Sequence, residues 1–238
     1  MHILATDLDG TFLGGSDASR RRLIAHFLEQ PSHQLIYVTG RSVNSVEQLI
    51  QAGRLPRPDG MICDVGTTVA CAQGQPLPGP AHDAVAAAWQ DAGARVRAAL
   101  DGHPGLHLQE DFGPRRVSYH FDASADLGAA ARVVRELGLE PLVSDNLYFD
   151  VLPPGVNKGT TLQRWLAQHD HGIDAALAAG DTLNDLALLE SGARAVVVGN
   201  AEPGLLDRLR ENPRLYRAHG HGCDGIVEAC AHFGIDLE

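Results

Sequence analysis

The sequence predicts an α/β fold: a mainly parallel sheet covered by helices, interrupted once by a small α+β module. Three observations carry this reading. Short apolar runs alternate with amphipathic stretches through residues 2–70, and again from Lys158 onward. Strands alternating with helices imply βαβ units and a parallel sheet. Between the two stretches, a turn-rich segment, Gly74-Gln75-Pro76-Leu77-Pro78-Gly79-Pro80, breaks the alternation, and residues 83–152 read as helix, two strands, helix, two strands.

In order, residues 2–6 form a short apolar run ending in acids. Residues 19–29 place Leu23, Ile24, Phe27 and Leu28 at helical spacing. Residues 34–38 are a second apolar run, closed by Thr39-Gly40-Arg41. Residues 42–52 are amphipathic, with Val43, Val46, Leu49 and Ile50 on one face. Residues 60–64 read as a third strand and 67–70 as a short fourth. The inserted module predicts one long helix over 83–100, strands over 106–110 and 116–121, a helix over 127–137, and strands over 142–143 and 148–152. Pro153-Pro154-Gly155 closes it. The alternation then resumes with a helix over 159–168, a strand over 176–179, a helix over 183–191, a strand over 195–198 and a final helix near 226–233. The domain reading is a parent domain from 1–76 and 156–238, with 77–155 inserted.

Composition narrows the function. The chain has 238 residues, with 19 basic and 30 acidic side chains, a net charge of −11. Hydrophobic residues make up 44% and charged residues 21%, which excludes a disordered chain. The acidic balance argues against nucleic acid and against an anionic membrane surface as partners. No run approaches the length of a spanning helix, and the acids in MHILATDLDG leave no apolar core for a signal peptide. Four cysteines, Cys63, Cys71, Cys223 and Cys230, are too few and too scattered for a disulfide framework and read as buried thiols of a cytoplasmic protein. The expected assembly is a monomer or small homo-oligomer.

The chemistry concentrates where apolar strands end, the place where ligands bind open parallel sheets. Asp7-Leu8-Asp9-Gly10-Thr11 follows the first strand. A tight turn at Gly10 can aim both carboxylates into one crevice, and their repulsion is relieved by a divalent cation. The pair reads as an aspartate nucleophile plus a general acid/base with Mg²⁺ beside them. The plainer alternative is a strand-end turn with two solvated acids. Thr39-Gly40-Arg41-Ser42 opens a helix and suits a phosphate oxygen, or is only an N-cap. Lys158 opens the helix after the insertion, although a cation is disfavoured there; it either neutralises the nucleophile and phosphate or is a solvated lysine. In Gly180-Asp181-Thr182-Leu183-Asn184-Asp185, Asp181 and Asp185 lie one helical turn apart. They can complete a metal site with Asp7, or serve only as cap and dipole partner.

In this order, DLDGT, TGRS, the helix-opening lysine and GDTLND resemble the four motifs of the haloacid dehalogenase (HAD) superfamily of phosphatases, over essentially the whole chain. The resemblance implies a Rossmann-like parallel-sheet core with an inserted αββαββ cap of the C2B type. It implies that Asp7 is the nucleophile and Asp9 the general acid/base. Thr39, Gly40, Asn184 and Lys158 would bind phosphate, with Lys158 stabilising the phosphoaspartyl state. Asp7, Asp9 (through its backbone carbonyl), Asp181 and Asp185 would hold Mg²⁺. Further stretches resemble the sucrose-phosphate phosphatase branch, which includes mannosylfructose-phosphate phosphatases: Tyr37 to Ser42, Pro58-Asp59-Gly60 leading to Val65-Gly66-Thr67, Val198 to Pro203, and, in the cap, Gln109-Glu110 and Arg116-Val117-Ser118-Tyr119. Where that branch usually has lysine before Val-Ser-Tyr, this chain has Arg116. Arg41, Gln109, Arg116 and Tyr119 are the candidate sugar-binding residues, with Glu110 beside them; a solvated sheet face is the alternative for those in the cap.

The expected activity is therefore Mg²⁺-dependent hydrolysis of a sugar phosphate, of the sucrose-phosphate or mannosylfructose-phosphate type, through an aspartyl-phosphate. A sugar phosphomutase on the same core and a non-catalytic sugar-phosphate sensor are the alternatives. His219-Gly220-His221-Gly222-Cys223 and His169-Asp170-His171 carry metal-ligand residue types but read as a surface loop and a helix end.

Overall fold

The computed structural model describes residues 2–237. Its main sheet has seven strands: β1 (Ile3–Thr6), β2 (Gln34–Val38), β3 (Gly60–Cys63), β4 (Thr68–Cys71), β9 (Ala176–Gly180), β10 (Arg194–Val197) and β11 (Leu215–Arg217). They lie in the order β11-β10-β9-β1-β2-β3-β4. All neighbours are parallel except β3 and β4. The strands β1, β2 and β3 are apolar apart from Gln34 and Thr6 at their ends and almost fully buried, as a parallel sheet covered on both faces requires. One face packs under α1 (Asp17–Leu28), α2 (Val43–Gln51) and α9 (Cys223–His232). The other lies under α6 (Lys158–Gln168), α7 (Leu186–Leu189) and α8 (Pro203–Leu206).

Chain order reverses on either side of β1, whose neighbours are β2 and β9. The loops leaving β1, β2 and β9 therefore open a crevice at the C-terminal edge of the sheet. They carry DLDGT, TGRS and GDTLND respectively.

Between β4 and α6 the chain builds a second, antiparallel sheet from β5 (Leu106–Leu108), β6 (Val117–Phe121), β7 (Glu140–Ser144) and β8 (Tyr148–Leu152), in the order β5-β6-β8-β7. With α4 (Gly93–Leu100) and α5 (Leu127–Glu136), it encloses its own core of Val96, Leu100, Val117, Ala130, Val134 and Phe149. The helix α3 (Pro80–Trp89) joins the two bodies: Ala81 lies in the main core and Trp89 in the second.

Three expectations are corrected. The single helix over 83–100 is two helices, because Gln90 and Asp91 take left-handed conformations (φ 50° and 52°) that turn the chain and send Trp89 and Val96 into one core. The helix over 183–191 is a 3₁₀ turn, Leu183–Asp185, followed by the single turn α7. The strand β11 and helix α8 went unread, since each is only three or four residues long. All four cysteines are free, and no helix among the described residues is long and apolar enough to cross a membrane.

Candidate active site

The turn after β1 is built on Gly10. Its φ of 74° lies in the left-handed region, and a Cβ there would stand 2.1 Å from Asp181 Oδ2. The turn thereby meets the β9 and β10 loops: the Thr11 hydroxyl donates to Asp181 Oδ1 at 2.7 Å, and Asn200 Nδ2, in the loop after β10, donates to the Gly10 carbonyl at 2.9 Å. Asp7 is buried, and its amide donates to the Ala179 carbonyl at 2.9 Å, which fixes it at the mouth of the β1–β9 pair.

Lys158 is the centre of the cluster. It is 0% exposed, and its Nζ donates to Asp7 Oδ1 at 2.7 Å, Asn184 Oδ1 at 2.5 Å and Asp185 Oδ1 at 2.6 Å. A buried ammonium needs such a set: the three bonds use every donor it has. Burial disfavours its charge, but Asp185 and Asp7 outweigh that and raise its pKa. Asp7 is pushed well up, by burial first and by Asp185 and Asp181 next, against the pull of Lys158. Asp181 is pushed up to about 7 by burial and by Asp185.

The plain alternatives divide on this geometry. The N-cap reading of the loop after β2 is met by Ser42, which caps α2 by accepting from the Ser45 amide at 3.0 Å, while Thr39 does not cap the helix. The turn at Leu183 is capped by Thr182 and Asp185, whose Oδ2 accepts from the Asp181 and Thr182 amides at 3.0 and 3.1 Å. The Asp181 carboxylate caps nothing and faces Thr11 and Gly10. Nor is Lys158 a solvated lysine.

Asp7, Asp181 and Asp185 bring carboxylate oxygens within 4.8 Å of one another, all buried. The all-oxygen donor set and the mutual repulsion visible in Asp7 and Asp181 suit a hard divalent cation. Asp185 accepts from Lys158 on one oxygen and from backbone amides on the other, Asp181 accepts from Thr11 and, at 3.5 Å, from Asn200, and Asp7 accepts from Lys158 on Oδ1. Asp9 stands apart: its side chain is 58% exposed and forms a two-pronged pair with Arg41, Nε to Oδ2 and Nη2 to Oδ1, each 2.7 Å.

A cavity of about 410 Å³ opens over this cluster. Asp7, Asp9, Gly40, Arg41 and Asn184 form its floor, and the second sheet and its loops supply Gln109, Asp111, Arg116, Ser144, Asp145, Tyr148 and Asp150. Thr39 is buried just behind Gly40, and its Oγ1 accepts from the Arg41 amide at 3.2 Å. Arg116 is 5% exposed and ties the two bodies together. Its Nη1 donates to the Gly40 carbonyl at 3.0 Å and lies 3.4 Å from Asp150; its Nη2 lies 3.3 Å from Asp64. Gln109 joins through Ser118, which donates to Asp150 at 2.5 Å.

Tyr119 is a correction. Strand alternation sends it to the opposite face from Ser118, into the second core, where its hydroxyl donates to Asp101 at 2.9 Å. It does not line the cavity, and neither does the exposed Glu110.

Sequence reasoning missed Asp64, Asp111, Ser144, Asp145, Tyr148 and Asp150. A signal existed for Asp150, an acid at the centre of the apolar strand Tyr148–Leu152. Asp64 was hidden in the loop after β3, where Asp64, Val65 and Gly66 all have positive φ (54°, 58° and 98°). A β-branched valine there is strained. The loop abuts the start of α6: a Cβ on Gly66 would stand 2.5 Å from the Asn157 carbonyl, next to Lys158.

Against known proteins, the sequence model described as sucrose-6F-phosphate phosphohydrolase matches residues 1–234. The chain belongs to this family. Its members are phosphoric monoester hydrolases of the HAD superfamily, and the parallel core with its inserted α+β unit is that fold. The chain is 29% identical to the mannosylfructose-phosphate phosphatase of Agrobacterium fabrum over 99% of its own length and 98% of the relative's. It is 40% identical to the glucosylglycerol-phosphate synthase of Pseudomonas anguilliseptica over 98% of its own length, but spans only 31% of that protein. The sucrose-phosphatase of Synechocystis sp. PCC6803, solved with sucrose and phosphate, superposes with a TM-score of 0.87, at 30% identity and 98% coverage of both chains.

Proposed function

We propose that this protein hydrolyses the phosphate monoester of a small glycosylated sugar or polyol, by attack of Asp7 on phosphorus. The observation that carries the reading is the buried Lys158–Asp7–Asn184–Asp185 cluster at the end of the central strand, under a cavity whose far wall is polar. Lys158 holds one oxygen of Asp7 and leaves the other for the phosphorus. Asp9 donates a proton to the departing sugar oxygen, and the P–O bond to the sugar breaks as the bond to Asp7 forms. Asp9, now a carboxylate, takes a proton from the water that attacks the aspartyl-phosphate, which returns Asp7 and releases phosphate. Lys158 and the Asn184 amide oppose negative charge on the phosphoryl oxygens, with Thr39 and Gly40 shaping the phosphate seat.

Asp7, Asp181, Asp185 and the Asp9 carbonyl would hold Mg²⁺, and Asp185 also fixes the Asp181 loop through its bonds to the Asp181 and Thr182 amides. The ion would supply charge neutralisation between Asp7 and the phosphoryl group. Arg41 leaves Asp9 for the substrate when the cavity fills, and Gln109 and Arg116 read hydroxyl groups. Residues 77–155 act as the cap that closes over the sugar and excludes water.

Two substrate classes stand out: disaccharide phosphates of the sucrose or mannosylfructose type, and glucosylglycerol phosphate, favoured by the 40% identity to that synthase. A phosphate-release screen over these esters, trehalose phosphate and monosaccharide phosphates, with and without Mg²⁺, tests the proposal. One glycosyl ester should lead by at least an order of magnitude. Interconversion of sugar phosphates without release of inorganic phosphate would identify a mutase and overturn the reading.

A further inference from the structure

At the opposite edge of the main sheet, where strands begin, three histidines meet. His2 precedes β1 and His33 precedes β2. The parallel register pairs Ile3 with Gln34, so the two imidazoles stand side by side, 5.0 Å between centroids and 14° between planes. His26, in the last turn of α1, completes the group at 4.3 Å from His33 and 5.8 Å from His2. Each ring offers a nitrogen within 4.8 Å of the others.

The hydrogen bonding is what makes this more than a stack. His26 is only 7% exposed, and its Nε2 is buried without a partner; His2 Nδ1 is likewise buried and unpartnered. Two orphaned ring nitrogens in one cluster are costly for a purely structural arrangement. His33 Nδ1 lies 3.1 Å from the His26 carbonyl. A carbonyl can only accept, so Nδ1 carries a proton, and Nε2 is the nitrogen left to face a metal ion. A backbone carbonyl on the far nitrogen is the usual way a metal-binding histidine is oriented. Burial, and then the neighbouring rings, lower the pKa of His2 and His26.

We infer that His2, His26 and His33 form a second metal site, selective for a borderline divalent ion of the Zn²⁺ class. Three imidazoles, with the Asp236 carboxylate near His26, suit that class and disfavour Mg²⁺. Ligands about 2.0–2.1 Å from a tetrahedral ion stand roughly 3.4 Å apart, so small ring shifts suffice. The site is remote from Asp7, and its role would be to tie α1 to the starts of β1 and β2.

The test uses the full-length protein without a histidine tag, in saturating Mg²⁺ so that the carboxylate site is filled. Titration with Zn²⁺ should show one equivalent bound, and Co²⁺ should give the intense visible bands of a four-coordinate nitrogen site. Binding of Zn²⁺ should raise the thermal midpoint. The half-buried partners are the safer ones to change: His33→Ala and His2→Ala should each weaken Zn²⁺ binding about tenfold or more while Mg²⁺-dependent phosphate release is unaltered. Changing His169 and His219 together should leave Zn²⁺ binding intact. No bound equivalent in the wild type, or equal binding in the His2→Ala/His33→Ala double variant, would overturn the site.

Discussion

The floor and the roof of the cavity are held by different physics. In the floor, one fully buried cation bonds three side chains drawn from the β1 and β9 loops, at 2.5–2.7 Å. In the roof, the guanidinium of Arg116 reaches Asp64 and Asp150 at 3.3–3.4 Å and its best hydrogen bond goes to a backbone carbonyl of the floor. The floor is a dense charge network on a parallel sheet, in which Lys158 offsets part of the charge of Asp7, Asp181 and Asp185. The roof is a looser bridge between two bodies, in which Arg116 Nε and Asp64 Oδ2 are buried without a hydrogen-bond partner. Chemistry belongs on the first and recognition on the second, because precise placement of a nucleophile tolerates less movement than recognition of hydroxyl groups.

The most severe way to break the comparison is at Asp7. Asp7→Asn should lower phosphate release by about 10⁴-fold or more while circular dichroism stays that of the wild type; retained Mg²⁺-dependent turnover would refute the nucleophile. Lys158→Met leaves Asp7 and Asp185 buried without their cation, and denaturant titration should show a loss of about 3–5 kcal/mol. Adding Asp185→Asn should recover part of it, and no recovery would show that the floor is not the charge network described.

A pH series separates floor from roof. Asp181 is pushed up to about 7, so protons compete with the cation below that pH. The affinity for Mg²⁺, measured by calorimetry, should weaken as pH falls from 8 to 6, approaching about tenfold per unit. The metal-free protein should move the other way. A carboxyl whose folded pKa is raised binds its proton more tightly when folded, so this group's contribution to stability increases as pH falls from 7 toward the ordinary carboxylate range. In the roof, Arg116→Lys keeps the charge but loses the fork to Asp64 and Asp150. A roughly tenfold rise in KM with kcat nearly unchanged is expected; an equal fall in kcat would mean that the roof also positions the chemistry. The smallest effect is at Tyr119, where Tyr119→Phe should cost about 1 kcal/mol of stability and leave KM alone. A raised KM would restore Tyr119 to the site.

Much of the floor was legible because its residues sit in short contiguous motifs directly after apolar strands. Parallel pairing brings successive strand ends to one edge, so Asp7, Thr39 and Asp181 had to converge once the alternation was read. The roof was less legible. Gln109 and Arg116 were read as cavity residues, but Asp64, Asp111 and Asp150 were not, since their meeting depends on how an antiparallel sheet docks on a loop far away in sequence. Tyr119 was misplaced for a smaller reason: in Val117-Ser118-Tyr119 only the register tells which side chain faces the cavity, and a shift by one residue reverses the face.

By itself, then, the sequence determined the layer architecture and the strand-end acids, which follow from local periodicity and turn chemistry. Only the tertiary structure decided that Lys158 is buried, that Asp185 accepts from Lys158 and two amides, that Arg116 bridges core and cap, and that His2, His26 and His33 meet. Each of these depends on which distant groups share a desolvated space, and desolvation is a property of the packed molecule that no local stretch of chain encodes.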